Sequence, residues 1–197
     1  MNYTIDDITD WLKINLDSER FEHSLGTAEC AKELAEKFDL DSEKAYLTGL
    51  VHDCAKCMNK NDMLEILKNI TLVCGEIENP KTHHAPAGAV VAKKEFGITD
   101  EEILSAIRWH TIGKLNMTEF EKIIFLADKI EKRTRPAEYA EPIREALNNG
   151  GIDKALLVCY KGTIKSLVDR NLTICTATID IYNELLTSNS APSFCKH

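Results

Sequence analysis

Ser18-Glu19-Arg20-Phe21-Glu22-His23-Ser24-Leu25-Gly26-Thr27-Ala28 begins the stretch that decides the fold. Carried on to Phe38, it sets Phe21, Leu25, Ala28, Ala31, Leu34, Ala35 and Phe38 at three- and four-residue intervals. At about 3.6 residues per turn, that spacing lines them along one side of a helix. The same interval recurs outward in both directions. Upstream, Ile5, Ile8, Trp11 and Leu12 form a stripe opened by Thr4 as a cap. Downstream, Ser42 opens a helix carrying Leu47, Leu50 and Val51, and a short helix follows from Asp62 to Leu67. Gly75 and Pro80 mark Thr71–Lys81 as a loop. Helix resumes near His83 and stops at Gly97. Thr99-Asp100-Glu101-Glu102 sets acids at the start of the next helix, where the dipole favours them, and that helix ends by Gly113. Thr118-Glu119-Phe120-Glu121 fits a capping box and opens a helix through Glu131, with Pro136 at the exit. Two more helices are expected, over Glu138–Leu147 and Ile152–Leu186. Strict alternation is nearly absent, so the predicted fold is all-α. Residues 1–187 read as one domain, and Ser188–His197 as a disordered tail.

Composition narrows the function. The chain has 197 residues, 44% apolar and 28% charged, and a net charge of −8. No apolar run approaches the ~18–20 residues of a membrane span, and the acidic N-terminus is no signal peptide. An acidic chain is a poor candidate for nucleic-acid binding, although a local basic pocket for a small anion is compatible with it. Seven scattered cysteines suit a reducing cytosol, so a cytoplasmic protein is expected. Cys54 and Cys57 form a C-x-x-C, but zinc would need a second such pair; they read as structural thiols near a site.

Five of the six histidines fall between positions 23 and 110. His52 is followed directly by Asp53 inside an apolar stretch, and Asp128 sits among Ile123, Ile124, Phe125 and Leu126. A buried carboxylate is costly unless compensated, and a divalent cation compensates well. Helical bundles build metal sites from inward-facing His, Asp and Glu. His23, His52, Asp53 and Asp128 supply nitrogen and oxygen donors, a mixture that suits Fe, Mn or Zn better than Mg or Ca. Singly, each residue has an ordinary explanation: a satisfied core histidine, or an Asp128 paired with Lys129 or Arg133. Together, ringed by Arg20, Lys56, Arg108, Lys129, Arg133 and Arg135, they favour a metal beside an anionic, phosphate-bearing substrate. Lys56 lies four residues after His52, which a continuing helix would put on the same face.

Five ordered motifs resemble one family. They are Arg20–Gly26, Gly49–Lys56, His84-Ala85-Pro86-Ala87-Gly88-Ala89, Ala106-Ile107-Arg108-Trp109-His110-Thr111 and Leu126-Ala127-Asp128-Lys129-Ile130-Glu131. The chain is thereby similar to the HD-domain phosphohydrolases, and most closely to the YqeK family within them. The match centres on residues 17–136. The resemblance implies an HD-domain helical bundle and an iron site, with Mn or Zn as substitutes and one or two ions. It implies symmetrical hydrolysis of diadenosine tetraphosphate to two ADP by a metal-activated water, in a bacterial, cytoplasmic homodimer. It implies metal ligation by His23, His52, Asp53 and Asp128. Arg20, Gly26, Lys56, His84, His110, Thr111 and an arginine after Asp128, taken as Arg133, would bind the nucleotide. His84 is preferred to His83 because Ala-Pro-Ala-Gly-Ala follows it. Lys56, His84 and His110 are the candidates for catalysis, the histidines as acid/base groups or as ligands of a second metal. Competing readings are an HD nucleotidase acting on another nucleotide, a regulatory module holding metal with GDP or ADP without turnover, a helical interaction domain, and an iron-dependent oxygenase of HD type.

Overall fold

The computed structural model describes residues 3–190, and among them there are helices and no strand. In chain order the helices are α1 (Ile5–Asn15), α2 (Ser18–Lys37), α3 (Ser42–Val51), α4 (Lys60–Leu67), α5 (Cys74–Glu78), α6 (His84–Phe96), α7 (Glu101–Trp109), α8 (Glu119–Ile130), α9 (Ala137–Asp169) and α10 (Thr176–Ser190). A 3₁₀ turn over Pro80–Thr82 joins α5 to α6.

Short polar side chains start these helices, and Thr4 and Thr118 do so as their sequence positions predict. Thr4 Oγ1 accepts from the Asp7 amide at 3.2 Å while Asp7 accepts from the Thr4 amide at 2.8 Å, a reciprocal cap on α1. Thr118 and Glu121 do the same for α8. Asp17, Asp41, Asn59 and Asp100 cap α2, α3, α4 and α7.

Three expectations need correction. The loop predicted over Thr71–Lys81 contains α5 and the 3₁₀ turn. There the Glu76 carboxylate accepts from the Val73 amide at 3.0 Å and pairs with Arg108 of α7, fixing a segment that Gly75 and Pro80 made look irregular. The single helix predicted over Ile152–Leu186 is interrupted between Asp169 and Thr176. Asn171 turns left-handed (φ 52°), and the Leu172 amide donates back to the Leu167 carbonyl at 2.9 Å, which closes the helix end. The break before Ile152 does occur, inside α9 at Gly151 (φ 77°, ψ −171°). Of the predicted tail, residues 188–190 are helical in α10, and residues 191–197 lie outside the described residues.

The architecture is centred on α8. Ile123, Ile124, Leu126 and Ala127 of this helix are all fully buried, because α2, α7 and α9 pack around it. One apolar cluster joins α8, α9 and α10 to the C-terminal half of α2. The other joins α1, α3, α6 and α7 to α2 at Ala28. Helices α2 and α3 can touch because residue 49 is glycine. A Cβ there would lie 2.8 Å from Ala28 Cα and from the Thr27 carbonyl oxygen. Backbone meets backbone at this point, which draws the end of α3 toward His23.

Gly49→Ala is therefore expected to destabilise the fold by the ~1–3 kcal/mol of an overpacked contact, even though alanine is the better helix former. The denaturant midpoint measures this, and an unchanged or raised midpoint would refute the close approach.

Candidate metal centre

Five elements bring their polar side chains to one buried point. His23 comes from the second turn of α2, His52 and Asp53 from the chain just beyond α3, and His84 from the start of α6. His110 caps α7, and Asp128 lies in the last turn of α8. All six are buried.

Three of the imidazoles are held in the same way. His52 Nδ1 donates to the Gly49 carbonyl at 2.7 Å, His84 Nδ1 to the Lys81 carbonyl at 2.9 Å, and His110 Nδ1 to the Ile107 carbonyl at 2.8 Å. In each case the acceptor lies three residues earlier. The proton is thereby held on Nδ1, and Nε2 faces inward with its lone pair. His84 Nε2 lies 3.1 Å and His110 Nε2 3.4 Å from Asp53 Oδ1. His23 Nε2 lies 2.9 Å from Asp128 Oδ1, and His52 Nε2 is 3.8 Å from the same oxygen.

Nitrogen lone pairs and carboxylate oxygens thus converge with too few protons between them. His52 Nε2 and Asp53 Oδ1 are buried and have no hydrogen-bond partner among the described residues. Burial pushes the His52 imidazole down to about 3, so it is neutral at ordinary pH. Burial pushes Asp53 and Asp128 up, but His52, His110 and His84 around the first, and Lys129, His23 and Arg135 around the second, hold both well below the usual carboxylate range. Neutral nitrogens and ionised oxygens are the donors a divalent cation takes. The donor atoms of His23, His52 and Asp128 all lie within 4.8 Å of one another, as do those of His52, Asp53 and His110. The residues present fit a metal, and the mixed nitrogen and oxygen set fits a transition ion.

The sequence candidates are distributed as follows. Lys56 reaches the centre, with Nζ 3.8 Å from Asp53 Oδ1 and 3.0 Å from His84 Nε2. It does so by a route other than the expected helix face. Helix α3 stops at Val51, and residues 52–57 form tight turns in which the Cys54 amide donates to the Val51 carbonyl and the Lys56 amide to the Asp53 carbonyl at 2.8 Å. Arg20 Nη1 is 4.0 Å from Asp53 Oδ2. Thr111 follows His110, and its buried Oγ1 has no hydrogen-bond partner among the described residues. His84 faces the centre while His83 turns away to the Glu76 carbonyl at 2.8 Å. Arg133 is not brought in: it pairs with Glu22 and Glu29 at 2.6 Å on the outer face of α2. Arg135 takes the inner place, 2.5 Å from Asp128 Oδ1. Gly26 sits behind the centre, where a Cβ would meet Glu131 Oε2 at 2.4 Å. Of the thiols, buried Cys54 faces the Gly88 carbonyl and exposed Cys57 faces Asp17, so they do not meet.

Glu131, fully buried against His23 Nδ1 at 3.2 Å, escaped the sequence reading. A glutamate at a helix end is ordinarily solvated, and its signals were its place at the end of the fifth motif and a single turn beyond Asp128. Of the two partners offered for Asp128 by the sequence, Lys129 is the one that pairs with it.

His52→Ala and Asp53→Ala are each expected to abolish divalent-metal binding while keeping the helical circular dichroism. A cation at a hundredfold its Kd stabilises the native state by ~2.7 kcal/mol, and that increment should vanish in both variants. Thermal melts with and without metal measure it; a wild-type increment in both variants would remove these residues from the ligand set.

A model of the HD domain family matches residues 20–133. The symmetrical bis(5'-nucleosyl)-tetraphosphatase of Staphylococcus aureus is 38% identical over 174 residues, covering 87% of this chain and 89% of that one. Its namesake from Bacillus subtilis is 35% identical over 179 residues, covering 90% and 95%. A crystal structure from Clostridium acetobutylicum, described as a "predicted HD superfamily hydrolase involved in NAD metabolism", superposes with a TM-score of 0.87 at 39% identity, over 94% of this chain and 98% of that one. With the HD motif at His52-Asp53 on the centre itself and these relatives spanning nearly all of its length, the chain belongs to the HD-domain hydrolases, in the family of the symmetrical bis(5'-nucleosyl)-tetraphosphatases.

Proposed function

We propose that this protein hydrolyses diadenosine tetraphosphate symmetrically, with one water, to two ADP. The observation that carries the reading is the convergence of inward-facing Nε2 atoms and ionised carboxylates on one buried point, rimmed by Arg20, Lys56, Lys129 and Arg135. His23, His52, Asp53 and Asp128 would hold the cation, and iron, manganese or zinc suits their donor set. When bound, a divalent cation supplies Lewis acidity and positive charge at the reacting phosphoryl group.

The chain's own residues do the rest. Two cavities, of about 510 and 540 Å³, flank the centre, and Lys81 lines both. One carries Thr111, Lys129, Tyr160 and Arg170; the other carries Arg20, Lys56, Lys60 and Met63. Each offers cations for phosphate beside apolar surface for a nucleoside. A tetraphosphate bridging them presents its middle anhydride to the centre, which accounts for symmetrical cleavage. Lys56 and Arg20 neutralise the charge that builds on the departing ADP. His84 is the better candidate for proton transfer. Lys56 stands 3.0 Å from its Nε2, and a cation there disfavours a second metal ion. Burial also lowers the His84 imidazole, and its ring proton is committed to the Lys81 carbonyl, so Nε2 carries the lone pair that would accept a proton from the attacking water once Lys56 turns to phosphate.

Chromatography of the products should give ADP alone; AMP with ATP would show that attack falls on an outer phosphorus. Lys56→Ala should retain its metal and fold but lose roughly 10²–10³ in kcat, as when one preorganised donor is removed. Unchanged kcat and KM would assign Lys56 to the surface, and a rise in KM alone would leave it a ground-state binding role.

A further inference from the structure

His23 is the one inward imidazole whose Nδ1 is not held by a backbone carbonyl. Its partner is the Glu131 carboxylate, with Oε1 at 3.2 Å. Glu131 is fully buried, 0% exposed, and lies outside both groups of candidate donors. It is itself tightly held. The Thr134 amide donates to Oε1 at 3.1 Å and to Oε2 at 3.0 Å, the Arg133 amide donates to Oε2, and the Thr134 hydroxyl donates to Oε1. Because the Thr134 proton goes to Glu131, its oxygen, 3.3 Å from His23 Nδ1, is a second acceptor facing that nitrogen. Among the described residues acceptors alone face Nδ1, so the proton sits there.

We propose that Glu131 is a positioning residue for the metal centre: it locks His23 in the Nδ1–H tautomer and so presents the Nε2 lone pair to the cation. Gly26 belongs to the same device. A Cβ on it would lie 2.4 Å from Glu131 Oε2, 3.1 Å from its Cδ and 3.2 Å from Arg133 Cβ. Glycine at this point of α2 makes room for the carboxylate, one turn along from the histidine it orients. This gives Gly26 a role in metal affinity rather than in contact with nucleotide. The inference rests on the metal reading above, and its test needs no substrate.

The chemistry of the substitution is specific. In Glu131→Gln the amide has one oxygen for two demands. If that oxygen faces His23, the NH₂ opposes the donating amides of Arg133 and Thr134. If the amide turns over, its NH₂ donates to Nδ1 and moves the ring proton to Nε2, blocking ligation. Losing such an outer partner typically lowers metal affinity ~10–100-fold.

The experiment titrates metal-free protein with Zn²⁺ alone and records ring ¹⁵N shifts of histidine-labelled protein. Wild type with Zn²⁺ should show His23 as the Nδ1–H tautomer. Glu131→Gln and Gly26→Ala should each bind Zn²⁺ ~10–100-fold more weakly. Glu121→Gln is the control: Glu121 is also buried, but it serves Ser105 and Lys114 away from the centre, so it should cost stability and leave the Zn²⁺ Kd unchanged. Either variant binding Zn²⁺ within twofold of wild type overturns the proposal, as does an Nε2–H His23 in loaded wild type. The wild-type spectrum decides even if a variant does not fold. Wild type that binds no Zn²⁺ would sink the metal reading itself, which separates the two failures.

Discussion

The constraint on which the structure depends is electrostatic: ionised Asp53 and Asp128 are buried among imidazoles whose protons are committed elsewhere. Isolated, such carboxylates would be very costly inside a protein. Here Asp128 is met by Lys129 and Arg135, whereas Asp53 has only longer approaches from Arg20 and Lys56. The unpartnered atoms, Asp53 Oδ1 and His52 Nε2, are thus left on the side where a cation is required. The bundle around them is the framework that keeps those atoms from finding other partners.

That framework relies on close backbone approach. Gly49 lets α3 lie on α2, and Gly26 admits Glu131 beneath His23. On the far side, a Cβ on Gly88 of α6 would be 3.3 Å from Ile107 Cγ2 and 3.4 Å from the His52 carbonyl oxygen. Each of these residues sits opposite a piece of the centre, so the small side chains set the distances between the ligands. Phe96, Leu50, Ile107 and Ile124 supply the apolar bulk, but volume alone would not bring five elements to one point.

The helices were legible because three-to-four spacing and capping residues are local signals: Thr4, Thr118 and Asp100 act in the structure as their positions predict. The histidines and aspartates at the centre could be picked out because polar groups in apolar stretches need a reason. What escaped depended on contacts distant in sequence. Alpha-helix α5 is held by Glu76 reaching Arg108, 32 residues away. Arg133 and Arg135 have the same chemistry and nearly the same position, and only the turn after α8 decides that one faces Glu29 and the other Asp128. The end of α3 at Val51 was hidden because His52 keeps helical angles (φ −56°, ψ −37°) while the bonds beyond it tighten to three-residue turns.

The distribution of charge carries the argument from site to substrate. A chain of net charge −8 should repel a polyphosphate from most directions. Among the described residues no acidic side chain lines the two cavities, where Arg20, Lys56, Lys60, Lys81, Lys129 and Arg170 are found instead. Exposed cations on an ordinary surface would be screened and worth little. At the mouth of a buried centre they act over lower dielectric, and part of their charge is already balanced by Asp53 and Asp128. The arrangement therefore attracts an anion only where it can also reach the donors that would hold the metal, which ties recognition of the phosphate chain to the position of its cleavage.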